Sequence, residues 1–456
     1  MGGAGLGVVV PVAGAEVCGS WVTESESPRE HPASRSVPAT TVDASLMRMR
    51  PMVCRAVAGV PVTTRQRSST LVHMLEVDDV LSRLRRYPDV EAVNLYAVDA
   101  ADRLILDTAR ELLAAAGGGR TTVIDDGYGA LTLGAAAAHD LRDIRVHQDL
   151  LTGEQALANN ARATGLTDRY RAYPLGPELL EGATVVLLRL PRMLAGLAEI
   201  AEAVARYADP SVTVIAGGRD KYLTPAMNEV LAEYFHDVQA SRGRQKSRTI
   251  TATGPKAPGT QRFPVHEQLG ELDLEVVAHG AAFSGPRLDI GTRFLLQHLK
   301  RMKPDARDAI DLGCGTGILA AALAKARPNL SVVGTDQSAA AVASARATAT
   351  ANGVSDRVTV VRDDVMAAVG DRSTDLVLCN PPFHVGAAVH TGSAIKMFSE
   401  TGRVLRPGGE LWTVYNTHLN YRGVMDRLVG ATEVIGRNRK FTVTRSVSGR
   451  RGGRSG

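Results

Sequence analysis

Apolar positions along this chain fall into short runs that are separated by polar turns and by Ala/Leu-rich stretches. From about Leu75 to Pro255, buried strands are predicted at residues 90–98, 121–126, 143–148, 183–190 and 212–217, and helices at 104–116 and 225–235. Strands that alternate with helices in this way predict a parallel sheet with crossover helices.

The same pattern begins again near Phe263. Strands are predicted at 308–312, 330–336, 358–364, 374–380 and 409–415, and helices at 317–326, 339–351 and 393–405. Short segments of the two halves also correspond in order: 123–131 with 309–317, 166–169 with 354–357, 185–191 with 376–381, and 248–253 with 440–445. The nearly constant shift predicts a duplicated α/β domain, one copy of which has drifted.

Length and composition agree with two domains. The chain has 456 residues, of which 44% are apolar and 22% charged, and this excludes full disorder. Residues 1–72 are rich in Pro, Ser and Arg and lack periodicity, so they are predicted to be a disordered leader or an over-extended start. The predicted boundaries are 1–72, a first domain at 73–255, a second at 256–448, and a basic tail at 449–456.

Cysteine usage and hydropathy exclude several classes of protein. The cysteines at 18, 54, 314 and 379 are far apart, which excludes a disulfide scaffold and a zinc ribbon, and we expect no metal site. No apolar run is long enough to span a membrane, and no basic residue precedes the apolar start as in a secretory signal. We therefore expect a cytoplasmic protein; no motif specifies its oligomeric state.

The net charge of +5 is concentrated in two segments that contain no acidic residue. Residues 238–266 carry six basic side chains and residues 434–456 carry seven, so the rest of the chain is net acidic. Each segment lies at the closing strand of its half and could contact the phosphates of an anionic partner. The candidates are Arg242, Arg244, Lys246, Arg248, Arg437, Arg439 and Lys440.

A glycine-rich turn at 311–317, D-L-G-C-G-T-G, follows a strand and opens a helix. Gly313, Gly315 and Gly317 let the backbone turn tightly and approach a ligand closely. The spacing is that of S-adenosylmethionine (SAM) enzymes, and the G-x-G-x-x-G of a nicotinamide site is absent. Asp311 can bind a cationic amino-acid group at this turn.

Acidic residues at the ends of the next two strands extend this candidate site. Asp336 ends the following strand, where a carboxylate can hold both hydroxyls of a ribose. Asp363 or Asp364 follows the strand after that, and either is expected to contact the adenine.

The motif Asn380-Pro381-Pro382-Phe383 follows a further strand. An exocyclic amine on a base is a weak nucleophile because its lone pair is delocalised into the ring. The Asn380 side-chain oxygen and the Pro381 carbonyl can accept the two N–H bonds of such an amine and aim its lone pair at the SAM methyl group. The prolines stiffen the turn, and Phe383 can stack on the base.

These motifs resemble the bacterial ribosomal RNA guanine-N2 methyltransferases. The similarity includes D-L-G-C-G-T-G, N-P-P-F-H, residues 403–414, Phe283-Ser and Leu288-Asp-Ile-Gly, and it covers about residues 75–447. Residues 416–421 and 438–441 are more similar to the large-subunit (23S) enzyme than to the small-subunit (16S) enzyme. The resemblance implies two tandem Rossmann-like class I SAM methyltransferase domains, of which only the C-terminal one is active. It also implies catalysis at 380–383 and SAM binding by the glycines and aspartates named above.

The first half lacks several of these residues in the alignment of the repeat. Gln148 falls opposite Asp336, Leu131 opposite Gly317 and Leu190 opposite Asn380. We therefore expect the first half to be degenerate, to bind RNA or support the second half, and not to bind SAM.

The sequence favours an enzyme that methylates N2 of a guanine in 23S rRNA or its precursor. The alternatives are the same reaction on 16S rRNA, and methylation of adenine N6 or of a protein glutamine amide, because all present a planar NH2 group to this loop. A non-enzymatic RNA-binding assembly protein is the alternative from another class.

Overall fold

The computed structural model describes residues 77–381 and 387–449. The predicted leader at 1–72, Pro382 and Phe383, and residues 450–456 of the predicted tail lie outside the described residues.

The first half forms a seven-stranded sheet. Its strand order is β3-β2-β1-β4-β5-β7-β6, with parallel pairing from β3 to β5 and antiparallel pairing for β7 and β6. The strands are β1 (Thr121–Ile124), β2 (Ile144–His147), β3 (Tyr170–Ala172), β4 (Val185–Arg189), β5 (Thr213–Arg219), β6 (Phe235–Ala240) and β7 (Ser247–Pro255).

The second half forms a sheet of the same topology, β12-β11-β10-β13-β14-β16-β15. Its strands are β10 (Asp308–Leu312), β11 (Ser331–Asp336), β12 (Val358–Arg362), β13 (Thr374–Cys379), β14 (Leu405–Asn416), β15 (Gly430–Arg437) and β16 (Phe441–Ser448). Two sheets with one strand order confirm the predicted duplication and the predicted α/β class with tandem Rossmann-like domains.

Helices connect the parallel strands in both halves. Those of the first half are α1 (residues 77–83), α2 (Ala100–Ala116), α3 (Ala130–His139), α4 (Leu151–Thr164), α5 (Pro177–Leu180), α6 (Leu194–Tyr207) and α7 (Pro225–Tyr234). Those of the second are α8 (Ile290–Leu296), α9 (Ile318–Ala326), α10 (Ala339–Ala351), α11 (Ala387–Val404) and α12 (Arg422–Leu428).

The burial of the strands explains why the sequence forms this architecture. The central strands β4, β10 and β13 are almost entirely buried, because helices cover both faces of each sheet. The edge strands β6 and β15 are antiparallel and mostly exposed.

A two-stranded hairpin joins the halves. Its strands, β8 (Val265–Leu269) and β9 (Leu274–Ala278), belong to neither large sheet. It packs on α10, where the Val277 N–H donates to Thr348 Oγ1 (3.0 Å) and the Glu275 N–H to Asn352 Oδ1 (3.1 Å). The predicted boundary at 255/256 falls between β7 and this hairpin.

One predicted strand is wrong. Residues 90–98 form an irregular segment before α2, in which Val93 and Tyr96 face solvent. A strand needs the edge of a neighbouring strand for its N–H and C=O groups, and this segment has none. It forms a local turn instead, in which the Leu95 N–H donates to Ala92 O (2.9 Å).

Candidate functional site

The predicted site residues of the second half come together at one edge of its sheet. Strands β10, β11, β12 and β13 are parallel neighbours, so their carboxyl ends lie side by side. The glycine turn, Asp336, Asp363 and Asn380 stand at these four ends, where open α/β sheets bind ligands.

The glycine turn has the backbone geometry that the sequence predicts. All three glycines have positive φ values, of 72° at Gly313, 52° at Gly315 and 78° at Gly317. A Cβ at Gly317 would stand 2.9 Å from Cα of Ala345, so glycine is needed here for α9 to approach α10. A Cβ at Gly315 would have no described atom within 4 Å, which leaves this part of the turn open to a ligand.

Asp311 is buried beneath the turn with one oxygen unused. Its Oδ2 accepts a hydrogen bond from the Ala320 N–H of α9 (3.0 Å), whereas its buried Oδ1 has no hydrogen-bond partner among the described residues. Burial raises the pKa of Asp311 to about 7. An ammonium group bound at Oδ1 would supply the missing partner and favour the ionised carboxylate, so this position fits the amino-acid group of SAM.

Asp336 is held by two backbone donors beside the turn. Its Oδ2 accepts from the Gly315 N–H and its Oδ1 from the Ser338 N–H, each at 3.0 Å. Burial, with a contribution from the charge of Asp149, raises the pKa of this carboxyl. A carboxylate has about four acceptor positions, so a pair of ribose hydroxyls could still donate to Asp336.

The two candidate adenine contacts differ in their environment. The Asp363 N–H donates to the Asp336 carbonyl (2.9 Å), and Asp363 Oδ2 accepts from the Ala368 N–H (3.1 Å). These two bonds hold Asp363 next to Asp336. Asp364 Oδ2 accepts from Lys396 Nζ (2.5 Å) in an ion pair with α11. The geometry therefore favours Asp363 over Asp364 as a cofactor contact.

Asn380 stands directly after β13 with its amide group fixed. Its Nδ2 donates to Asp289 Oδ2 and to Thr292 Oγ1, both at 3.0 Å. A carboxylate can only accept, so the amide nitrogen must face Asp289 and the amide oxygen must face away. That oxygen is buried and has no hydrogen-bond partner among the described residues. The site thus contains an oriented, unused acceptor at the position that the sequence assigns to the target amine.

Asp289 and Thr292 are site residues that our sequence interpretation missed. Asp289 is the N-cap of α8 and accepts from the Thr292 N–H (3.1 Å). An Asp immediately before a helix is a typical N-cap signal. Its second role depends on a contact with a residue 91 positions away, and that contact appears only in the folded chain.

Neither described cysteine is suited to nucleophilic chemistry. Cys314 and Cys379 are buried, and burial raises the pKa of both thiols well above the ordinary value. Within residues 77–381 and 387–449, no group of three or more His, Cys, Asp or Glu side chains could hold a metal ion. In the same part of the chain, no helix is both long and apolar enough to cross a membrane.

The predicted basic residues lie on equivalent hairpins at the carboxyl edges of the two sheets. Arg219 at the end of β5 pairs with Ser247, and Asn416 at the end of β14 pairs with Phe441, so the β6–β7 and β15–β16 turns lie at these edges. Two of the first group form ion pairs, Arg244 with Asp107 and Arg248 with Asp220 (3.8 Å). The exposed residues are Arg242, Arg244, Lys246, Arg248, Arg437, Arg439 and Lys440.

Comparisons with known proteins agree with this architecture. The family Methyltransferase small domain matches residues 273–445, and the RLMG N-terminal domain matches residues 73–256. The ribosomal RNA large subunit methyltransferase G of Streptomyces avermitilis is 34% identical over 374 residues, covering 80% of this chain and 96% of the relative. The chain belongs to the ribosomal RNA large subunit methyltransferase G family.

A second methyltransferase G and one solved structure extend the comparison. The methyltransferase G of Pseudomonas putida is 36% identical over 368 residues, covering 80% of this chain and 96% of the relative. Among solved structures, the 16S rRNA N2 methyltransferase of T. thermophilus, in complex with AdoMet and guanosine, has a TM-score of 0.58 at 22% identity. It covers 81% of this chain and 99% of its own, and it shows that the tandem fold is shared.

The pairing registers of the two sheets correct the repeat alignment in this member of the family. Ile124 pairs with His147 and Leu188, whereas Leu312 pairs with Thr335 and Cys379. Gln148 therefore stands opposite Asp336, as expected, and its Oε1 accepts from the Gly127 N–H (3.4 Å) as Asp336 accepts from Gly315.

Two other expected correspondences are wrong. Gly129, not Leu131, is the counterpart of Gly317, because both are left-handed N-caps five residues after the equivalent strand position. Arg189, not Leu190, stands opposite Asn380. The second error arose because the sequence alignment matched Pro191 with Pro381, which is one residue out of the register of β4 and β13.

The first half nevertheless differs from the second at three chemical positions. In the corrected register, the buried Val123 stands opposite Asp311, Gln148 opposite Asp336 and Arg189 opposite Asn380. The first two are uncharged side chains in place of carboxylates. Arg189 carries only donors in place of an amide acceptor.

Proposed function

We propose that this member of the methyltransferase G family transfers a methyl group from SAM to the exocyclic N2 of a guanine in 23S rRNA or its precursor, in the cytoplasm. The observation that carries the proposal is the buried Asn380 Oδ1, which has no hydrogen-bond partner within residues 77–381 and 387–449. Asp289 and Thr292 orient this amide at the carboxyl edge of the sheet. An acceptor held in this way is preorganised for one N–H of a planar amine.

The proposed mechanism uses only hydrogen-bond acceptors of the chain. Asn380 Oδ1 and the Pro381 carbonyl would accept the two N–H bonds of the guanine amine and draw its lone pair away from the ring. Because Asp289 and Thr292 already fix the amide, this orientation requires no rearrangement when the base arrives. The N–H proton released after transfer can pass to water, so no side chain has to act as a base.

The cofactor would be held at the glycine turn. SAM supplies the electrophilic methyl group, which departs from a sulfonium centre. We assign its amino group to Asp311 Oδ1, its ribose to Asp336 and its adenine to the region of Asp363. Gly315 would leave room for the cofactor to approach the backbone. Catalysis is assigned to Asn380 and Pro381, together with Pro382 and Phe383.

The RNA-binding surface is proposed to include the two basic hairpins. Both turns stand at the sheet edges where the strands end, and the turn at 438–440 adjoins Phe441, whose ring lies near Gly291 beside Asn380. Arg437, Arg439 and Lys440 are exposed and form no ion pair with any residue in the described ranges, so their charges are available to phosphates.

Domain roles follow from the chemical differences between the halves. We assign methyl transfer to residues 256–448 and RNA binding or support to residues 73–255. The choice of the large subunit rests on sequence relatives at 34–36% identity that carry that name, whereas the 16S enzyme is similar only at 22% identity.

An assay with labelled SAM tests the proposal directly. The full chain is incubated with protein-free 23S rRNA transcribed in vitro, 16S rRNA, assembled subunits, a release factor and DNA. We expect label in 23S rRNA, recovered after nuclease digestion as N2-methylguanosine by mass spectrometry. Label in 16S rRNA would assign the small subunit, label on adenine N6 or glutamine would reassign the acceptor, and RNA binding without transfer would indicate an assembly protein.

A further inference from the structure

The two halves meet through equivalent loops. Residues 148–150, which follow β2, correspond to residues 336–338 at the end of β11, and Leu150 forms an antiparallel bridge with its own counterpart, Ser338. The Leu151 N–H donates to Gln337 O (2.9 Å), and the Ala339 N–H donates to Asp149 O (2.8 Å). These two bonds are related by a local two-fold axis, as in an isologous subunit contact.

The side chains at this contact break the symmetry. Asp149 Oδ1 accepts from the Ala340 N–H and from Ser338 Oγ, both at 2.9 Å. Its counterpart Gln337 accepts only from Thr152 Oγ1 (3.0 Å) with its side chain. The first N–H groups of a helix lack intrahelical partners and form the positive end of its dipole. Asp149 of the first half therefore completes the N-terminal cap of α10 in the second half.

The capped turn is the one that carries the predicted ribose carboxylate. Asp336 precedes Ser338 by two residues and accepts from the Ser338 N–H (3.0 Å). Arg362 fastens the same turn, since its Nη2 donates to the carbonyls of Gln148 (2.9 Å) and Asp149 (3.0 Å) and its Nε to that of Gln337 (3.2 Å). The position of Asp336 thus depends on the first half.

We propose that Asp149 is a positioning residue for the cofactor site. It fixes the turn from Asp336 to Ser338, so that the Asp336 carboxylate faces the ribose before SAM arrives. The inference rests on the proposed function, because it takes SAM as the ligand of Asp336. The degenerate half contributes to SAM affinity in this way without binding SAM itself.

Asp149→Ala in the full chain tests the proposal by calorimetric titration with SAM. Loss of a cap of about 1 kcal/mol should weaken SAM binding about 5–10-fold. The kcat at saturating SAM should stay within about twofold of wild type, because a positioning effect on the bound cofactor raises KM alone. Hydrogen exchange at the Ala340 amide should accelerate, because its carboxylate acceptor is lost, whereas the Ala339 amide keeps the main-chain carbonyl of residue 149 as its acceptor.

Two matched variants separate this role from general loosening of the interface. Asp149→Asn keeps a side-chain acceptor and should recover most of the SAM affinity. Glu199→Ala removes another contact between the halves, in which Glu199 Oε1 lies 2.6 Å from His279 Nδ1 and Oε2 accepts from the Gly280 N–H (2.7 Å). It touches no residue of the turn, so SAM affinity should not change.

Two outcomes would overturn the proposal. The first is an unchanged SAM affinity in Asp149→Ala, and the second is an equal loss of SAM affinity in Glu199→Ala. If Asp149→Ala does not fold, Arg362→Met is the second variant: it keeps the aliphatic stem but removes the three carbonyl contacts and the ion pair with Glu154 (2.7 Å). It should show the same rise in KM with unchanged kcat. A wild-type chain that does not bind SAM would instead refute the proposed function.

Discussion

The two halves place different chemistry on one scaffold position. In the second half, the N-cap Asp289 and Thr292 hold the amide of Asn380. In the first half, the equivalent N-cap Asp99 and Asp102 hold Arg189, whose Nη1 lies 3.0 Å from Asp99 Oδ1 and 2.9 Å from Asp102 Oδ1. Both copies bring the same three positions together: an N-cap residue, the residue three positions after it, and the residue that ends or directly follows the fourth strand.

The difference shows how a reactive position becomes a structural one. The amide of Asn380 has donors for its two holders and an acceptor left for a substrate, whereas a guanidinium has only donors. Burial raises the pKa of Asp102 to about 7. Burial by itself would lower the pKa of Arg189, but the neighbouring Asp102 and Asp99 outweigh the effect of burial and raise this pKa. Arg189 is thereby committed to a buried ion pair.

Arg189→Met would break this ion pair and should have the largest effect. The buried Asp102 and the partly exposed Asp99 would both lose their cation, and removing one partner of a buried ion pair typically costs about 3–5 kcal/mol of the free energy of unfolding. Urea unfolding, followed by circular dichroism, measures the loss. Adding Asp102→Asn to the same chain should restore part of it, because the unpaired charge is then gone. A loss below about 1 kcal/mol would mean that the pair does not stabilise the first half.

Asn380→Ala should produce the opposite result at the equivalent position. The variant keeps the stability and SAM affinity of wild type, but methyl transfer should fall by about 10²–10³-fold, the usual cost of removing one preorganised polar contact from a transition state. Single-turnover transfer to rRNA and calorimetry with SAM measure the two effects separately. Transfer at the native rate would exclude the proposed mechanism.

Asp336→Ala and Gln148→Ala compare the two ribose positions. Loss of charge-assisted hydrogen bonds should weaken SAM binding by about 10–10²-fold in the first variant. The second should leave SAM affinity unchanged, because the first half is not expected to bind SAM. Calorimetry should give one SAM per wild-type chain. Tight residual binding in Asp336→Ala would locate a second cofactor site in the first half.

Thr292→Val tests the orientation of the amide and should have the smallest effect. It removes one of the two acceptors of Asn380 Nδ2, so kcat should fall about 5–10-fold, corresponding to about 1 kcal/mol. SAM affinity should not change. Thr413→Val is the control, since Thr413 Oγ1 is buried on the neighbouring strand β14 without a hydrogen-bond partner among the described residues. Equal rates in both variants would mean that Thr292 does not orient the amide.

The sequence predicted the repeated sheet because its central strands contain short runs of apolar residues. Periodicity located every parallel strand of the second half, and the repeat identified the closing strands β7 and β16. The edge strands β6 and β15 escaped prediction, because half-exposed antiparallel strands carry polar residues that resemble loops. The apolar segment at 90–98 was mistaken for a strand, because its composition does not show whether another strand is available to pair with it.

The candidate site was predictable where a motif follows its own strand. The glycine turn, Asp336 and Asn380 stand where the strand ends imply, since parallel strands bring their carboxyl ends together. Contacts that join distant segments could not be found this way. Asp289 reaches Asn380 across 91 positions, and Asp149 reaches Ala340 across 191. Each looks like an ordinary capping residue until the fold brings its partner to it.

The local two-fold contact has a consequence for how the halves could diverge. In a dimer of identical chains, a substitution at the position of Asp149 would also appear at that of Gln337. One residue type would then have to make both contacts, with the Ala340 N–H on one side and with Thr152 Oγ1 on the other. A single chain with two copies removes that constraint, and each position can change alone. Because the linker between β7 and β8 joins the two copies in one chain, the two loops can carry different residues. The loop at 148–150 can cap α10, and the turn at 336–338 can carry the carboxylate of Asp336.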